Sequence, residues 1–147
     1  MSLDALVEQE AILARARTLL GGRIYDGIPD ETRLERDANN VLLPYAVVWF
    51  GELFPANPAD RSITGAQDQP ATMSVLFDIW SESATTSRQA ISAFHGLFIG
   101  WSAGDNMSEM ILRGSGAFSF HQTTTGPTRF SRTLTLQFTI NNSVVFG

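Results

Sequence analysis

The strongest constraint on the fold of this 147-residue chain is a stretch of strict alternation near its end. Four apolar side chains alternate there with polar ones: Leu134, Leu136, Phe138 and Ile140 against Thr133, Thr135, Gln137 and Thr139. Because successive side chains of a β-strand point to opposite faces, this pattern predicts a strand with one buried face. Such a strand needs neighbouring strands and a layer that covers its apolar side.

Other segments also carry strand signals. Tyr45–Phe50 is β-branched and aromatic, and Thr72–Ser81 is apolar on both faces, which is typical of a central strand covered on both sides. The remaining predicted strands are Arg23–Tyr25, Met110–Arg113 and the alternating stretch Phe118–Gln122, with Gly114–Gly116 as a turn or bulge and Thr125–Pro127 as a turn.

Two segments have helical periodicity. Apolar residues recur at three- and four-residue spacings over Leu3–Leu20, and Gly21–Gly22 predicts the end of that helix. Ser81–Thr86 offers N-caps for a second helix whose aromatic stripe runs to Trp101 and which ends at Ala103–Asp105. The sequence therefore predicts one α+β domain over residues 1–147, a mainly antiparallel sheet packed by two helices.

Two polar or proline-containing segments are predicted to be loops. Asp26–Asn40 contains Pro29 and an Asn-Asn pair, and Gly51–Pro70 contains three prolines and Gly65. A connection as long as Gly51–Pro70 is unusual in a compact domain, which indicates either a functional segment or disorder.

Composition argues against several functional classes. The net charge is −5 and the ten basic residues, all arginine, are spread along the chain, so we expect no specific nucleic-acid binding. No cysteine is present, which removes disulfides and thiolate chemistry. We find no secretory signal pattern and no apolar run of membrane-spanning length, and we expect a cytosolic chain without a membrane partner.

Residues capable of catalysis are few. His95 and His121 are interpreted as surface or boundary residues, and Asp78, His95 and a serine form a triad only on paper, because no Gly-x-Ser-x-Gly turn frames a serine. The acidic cluster of Asp26, Asp30 and Glu31 is interpreted as a solvated loop rather than a metal site. We therefore predict no enzyme activity, no catalytic residue, no metal and no cofactor.

Taken in order, the segments resemble the tail terminator (tail completion) proteins of long-tailed bacteriophages. The resemblance rests on the helix near Leu3–Leu20, on Pro44–Val48 opening a strand before a long loop, and on Val75–Ser81, the following helix and Arg132–Ile140. It implies a virion protein, made in the host cytoplasm, that forms a six-membered ring at the head-proximal end of the tail.

The same resemblance implies partners. Such a ring caps the tail tube, stops its growth, contacts a neck or head-completion protein and lets DNA pass through its lumen without specific binding. Other connector, neck or tail-tube subunits remain alternatives, and a small ligand-binding or enzymatic domain is a third.

Candidate assembly contacts lie near the long loop and the last turn. Phe54 lies between Leu53 and Pro55, beyond the end of a strand, and exposed aromatic residues are enriched at protein–protein contacts. The residues predicted to make assembly contacts are Phe50, Leu53, Phe54, Arg61, Ile63, Thr125 and Arg129.

Overall fold

The computed structural model describes residues 6–51, 54–55, 68–121 and 128–143, with side chains described at 6–51, 71–113 and 128–140. The elements in chain order are α1 (Leu6–Ala16), β1 (Ile24–Asp26), β2 (Tyr45–Phe50), β3 (Phe54–Pro55), β4 (Asp68–Ser81), α2 (Ala84–Phe98), β5 (Ile111–His121) and β6 (Arg129–Ser143). Short 3-10 turns lie at Leu20–Gly22 and Glu31–Arg33.

The strands form one sheet in the order β1-β2-β4-β6-β5, with β3 paired to β4. Only the β1–β2 pair is parallel among these pairings. The longest ladder joins β4 to β6 in antiparallel register, from Asp68 opposite Ser143 to Ser81 opposite Phe130. The α+β prediction, a mainly antiparallel sheet with two helices, is confirmed.

The core lies between one face of the sheet and both helices. Register places Phe77 of β4 opposite Leu134 of β6, and both side chains are fully buried in a cluster that includes residues of α1 and α2. The ring of Phe77 lies 5.0 Å from each of the rings of Phe94 and Phe98 on α2. This face is therefore where the apolar side of each amphipathic element is buried.

Helix α2 has the N-cap that the sequence predicts. The hydroxyl of Ser83 accepts the backbone N–H of Thr86 at 3.3 Å, and the stripe residues Phe94 and Phe98 are buried. The helix ends at Phe98, with the N–H of Ile99 bonded to the carbonyl of His95 at 3.0 Å. No helix in the described ranges is both long enough and apolar enough to cross a membrane.

Helix α1 ends at Ala16, four residues before the predicted end at Leu20. The chain turns there: the Thr18 hydroxyl donates to the carbonyl of Arg15 at 2.7 Å, and Leu20 adopts φ 51°. Arg15 ties α1 to α2, since its guanidinium donates to the carbonyl of Leu97 at 2.9 and 3.0 Å and lies 4.9 Å from the centre of the Trp101 ring.

The predicted loop Gly51–Pro70 is wrong at both ends. Phe54–Pro55 forms β3, and β4 begins at Asp68 because β6 continues to Ser143 and supplies pairing partners. Pro70 lies opposite Asn141 in the β4–β6 ladder. Residues 52–53 and 56–67 lie outside the described residues, as does the predicted turn at 125–127.

Smaller shifts affect the other strands. The first strand is Ile24–Asp26, one residue later than predicted, and the two strands predicted around Gly114–Gly116 are one bulged strand, β5. The prediction that β4 is covered on both faces is also wrong. On the face away from the helices Leu76, Asp78 and Trp80 are half-buried.

Candidate functional site

The helix-free face of the sheet carries a cavity of about 400 Å³. Side chains of β2 and β4 form the floor of the cavity, since the register of these strands places Tyr45 opposite Trp80 and Val47 opposite Asp78. The lining residues are Ile28, Pro29, Glu31, Leu34, Tyr45, Val47, Trp49, Asp78, Trp80 and Arg129. The volume falls in the range of small-ligand and side-chain binding sites.

The segment predicted as a polar loop after β1 forms one wall of this cavity. Gly27, at φ 98°, redirects the chain, and the carboxylate of Asp30 accepts the N–H of Thr32 at 3.2 Å to start the 3-10 turn. Leu34 packs against the cluster of Leu42, Tyr45 and Val47. Ile28 is left at the rim with 80% of its surface exposed.

An ion pair joins this wall to β6. The guanidinium of Arg129 donates to both carboxylate oxygens of Glu31, Nη1 to Oε1 at 2.6 Å and Nη2 to Oε2 at 2.9 Å. This bidentate geometry fixes the orientation of both side chains, and the hydrogen bonds with Glu31 raise the pKa of Arg129. Burial raises the pKa of the Tyr45 phenol, and a hydrogen bond with the nearby Arg129 opposes that rise.

Asp78 carries the charge that the ion pair leaves uncompensated. Burial raises the pKa of its carboxyl, while hydrogen bonds with Trp80 and Ser131 act in the opposite direction. Its Oδ1 is buried and has no hydrogen-bond partner among the residues that the structure describes. With Glu31 paired to Arg129, the ionised lining carries a formal charge of −1, in surroundings that are otherwise largely apolar and aromatic.

Asp78→Asn is expected to leave the folded chain at least as stable as the wild type at pH 7. A carboxyl whose pKa is raised on folding contributes stability that is present below its unfolded pKa and lost as pH rises through the folded pKa. The free energy of unfolding of the wild type, relative to Asp78→Asn, should therefore grow as pH is lowered from 7 to 4. Urea unfolding of both proteins across this range measures the difference.

Glu31, Tyr45 and Arg129 line the cavity with Asp78 and are present in both proteins, so the comparison differs only in the residue at position 78. An Asp78→Asn variant that is destabilised by more than about 2 kcal/mol at pH 7, with no gain for the wild type in acid, would contradict this account.

The structure places Asp78 and His95 far from each other. Asp78 lies on the helix-free face, whereas His95 is exposed on α2, on the other side of the sheet, so the triad is not assembled. His121 ends β5 opposite Arg129, and its side chain lies outside the described set. No group of three potential metal-ligating side chains converges within the described ranges. The cavity offers apolar contact and one charge, which is chemistry suited to binding.

Three of the seven predicted assembly contacts lie in the described residues. Arg129 lies in the cavity lining, and Phe50 is half-buried against the main core. Phe54 is in β3, with no side chain described, and the other predicted contacts lie outside the described residues: Leu53, Arg61, Ile63 and Thr125. Sequence reasoning missed the grouping of Tyr45, Asp78 and Trp80, whose only signal was a charged residue within an apolar strand.

Comparison with known proteins gives a likeness of fold. No family model matches the sequence, and neither does any curated protein. A chain of the solved structure "Virion of native gene transfer agent (GTA) particle" superposes with a TM-score of 0.57 at 12% identity, covering 91% of this chain and 94% of that one. A second solved chain, with a name that states no function, gives 0.46 at 14% identity, covering 98% and 100%. This chain therefore has the fold of a gene transfer agent virion chain.

Proposed function

We propose that this protein is a structural component of a phage-like virion. The observation that carries the proposal is the fold likeness to a chain of the gene transfer agent particle, which extends over 91% of this chain and 94% of that one. The role is one of assembly with other virion proteins rather than of catalysis.

Within that class we assign the chain to the tail terminators. The order of its elements supports this choice: an N-terminal helix, a strand before a long connection, a long central strand, a second helix and two closing strands. In this role six copies form a ring at the head-proximal end of the tail, in contact with the tail tube protein and a neck or head-completion protein. The net charge of −5 suits a lumen through which DNA passes without being held.

Two other functions have specific support. A neck, connector or tail-tube subunit is compatible with the same fold likeness, although tube subunits tend to carry a single helix and the described part of this chain has two α-helices. A ligand-binding domain is favoured by the cavity of about 400 Å³ on the helix-free face. Location in a purified particle separates the virion roles from one another.

Native mass spectrometry over a range of protein concentrations tests the ring directly. We expect a dominant six-fold species for the wild type, either alone or after addition of assembled tail tubes. A chain that stays monomeric and does not bind tubes would contradict the terminator role.

Deletion of Asn57–Ala66 is expected to abolish ring or tube association and leave the monomer folded. Pro55 is paired with Ala71, so the deletion shortens a connection between positions that the sheet already holds together, and it leaves Ala56, Gln67 and the first three residues of β4 between them. Circular dichroism reports the fold and native mass spectrometry reports association. Unchanged assembly would rule out this segment as a contact.

A further inference from the structure

The cavity has the chemistry of a site for an organic cation. Three aromatic rings line it, those of Tyr45, Trp49 and Trp80, and aromatic faces attract cations through their quadrupoles. The Asp78 carboxylate supplies the negative charge that the Arg129–Glu31 pair leaves uncompensated. A guanidinium group fits both features, because it is planar, stacks on aromatic rings and donates to carboxylates from a fixed fork.

The chain itself carries guanidinium groups that fit such a site. All ten of its basic residues are arginine. The side chains of three exposed arginines make no hydrogen bond or ion pair in the described part of the chain: Arg17, Arg33 and Arg88. Arg33 belongs to the cavity wall segment, whereas Arg17 follows α1 and Arg88 lies on α2.

Arg17 and Arg88 cannot reach the cavity of their own molecule, because both belong to the helix layer and the sheet separates that layer from the cavity. A second copy can bring one of them to it. Since each copy is acidic, close packing of copies is favoured where a positive group of one meets a negative group of the other.

We propose that the cavity receives an arginine side chain, Arg17 or Arg88, from the helix layer of a second copy of this chain. This inference rests on the proposed ring, and it specifies a contact between neighbouring subunits of that ring. A contact between opposite faces of two copies is heterologous, so it repeats from copy to copy and closes into a ring when the rotation permits. Face-to-face pairing would instead set two acidic cavities against each other.

The first test compares association constants by native mass spectrometry. Arg17→Gln/Arg88→Gln and Asp78→Asn should each weaken association at least about tenfold, as loss of one partner of a desolvated charge pair does. Arg33→Gln is the matched control, since it removes an exposed arginine on the cavity side, and it should associate as the wild type does. Circular dichroism confirms that each variant is folded.

Disulfide trapping supplies the geometry, and the chain has no native cysteine to interfere. Ile28 lies at the cavity rim, so Ile28→Cys combined with Ser92→Cys, one helical turn after Arg88, or with Ala14→Cys, one turn before Arg17, should give a ladder of linked copies that ends at a closed ring, with both arginines kept. Ile28→Cys alone should remain unlinked.

The possible outcomes distinguish failure of the proposed contact from failure of the proposed ring. Wild-type rings that persist in Asp78→Asn and in the double arginine variant overturn the proposed contact and leave the terminator role standing. Linked dimers of Ile28→Cys alone indicate face-to-face pairing and also overturn it. A wild type that remains monomeric with and without tail tubes contradicts the ring and the contact together.

Discussion

Phe77→Ala is expected to lower the free energy of unfolding by about 3–5 kcal/mol. Phe77 is fully buried at the centre of β4, with its ring 5.0 Å from the rings of both Phe94 and Phe98. Alanine removes these contacts and leaves a cavity between sheet and helix that neither of the two neighbouring rings can fill without leaving its own place. Single domains of this size are stable by only about 5–15 kcal/mol, so urea unfolding should show a large shift of the midpoint.

The neighbouring residue in β4 provides a matched control. Leu76 is half-buried on the helix-free face, and Leu76→Ala should cost clearly less than Phe77→Ala although both remove a large apolar side chain from the same strand. Equal losses for the two variants would mean that the core does not lie on the helix side of β4.

Ser87→Val is expected to cost about 1–3 kcal/mol, the second largest effect. Ser87 is fully buried on α2, where its hydroxyl donates to the carbonyl of Phe130 at 3.0 Å and lies 2.8 Å from the hydroxyl of Ser81. Valine removes the hydroxyl from a buried site that joins α2 to both β4 and β6, and its additional methyl group must also be accommodated there. Thermal unfolding monitored by circular dichroism measures the loss.

Ser92→Val on the same helix separates this effect from helix propensity. Ser92 is exposed, and its replacement carries the same change of propensity without breaking a buried hydrogen bond, so we expect a change within about 0.5 kcal/mol. If Ser87→Val proved as mild as Ser92→Val, the hydroxyl of Ser87 would not hold the helix to the sheet.

Local patterns were sufficient to predict most of the architecture. The alternation over Leu134–Ile140 is buried on its apolar side, and Ser83 caps a helix whose stripe at Phe94 and Phe98 faces the sheet. These signals depend on periodicity and on hydrogen-bonding capacity within a few residues, which are properties that a sequence displays directly. Gly21–Gly22 predicts a later end for α1 than the structure has, because the turn already begins around Thr18.

The cavity could not be predicted in the same way. Tyr45, Asp78 and Arg129 are far apart in sequence, and they meet only because the β2–β4 and β4–β6 registers bring their side chains to the same face. A shift of either register by one residue would turn one of them to the opposite face. The bidentate pairing of Glu31 with Arg129 likewise depends on where the wall segment folds, so the sequence pattern alone predicts only a solvated acidic loop.

The long β4–β6 ladder has a consequence for the order of events during synthesis. The paired residues of β4 and β6 are far apart in sequence. Even the pair closest in sequence, Ser81 and Phe130, is separated by the whole of α2 and β5, so the central pairing is strongly non-local. A topology of high contact order folds slowly, and ribosomes add only about 5–20 residues per second. β4 therefore emerges from the ribosome with one edge unpaired and stays so until nearly the whole chain has been made, and during that time the open edge can pair with other strands.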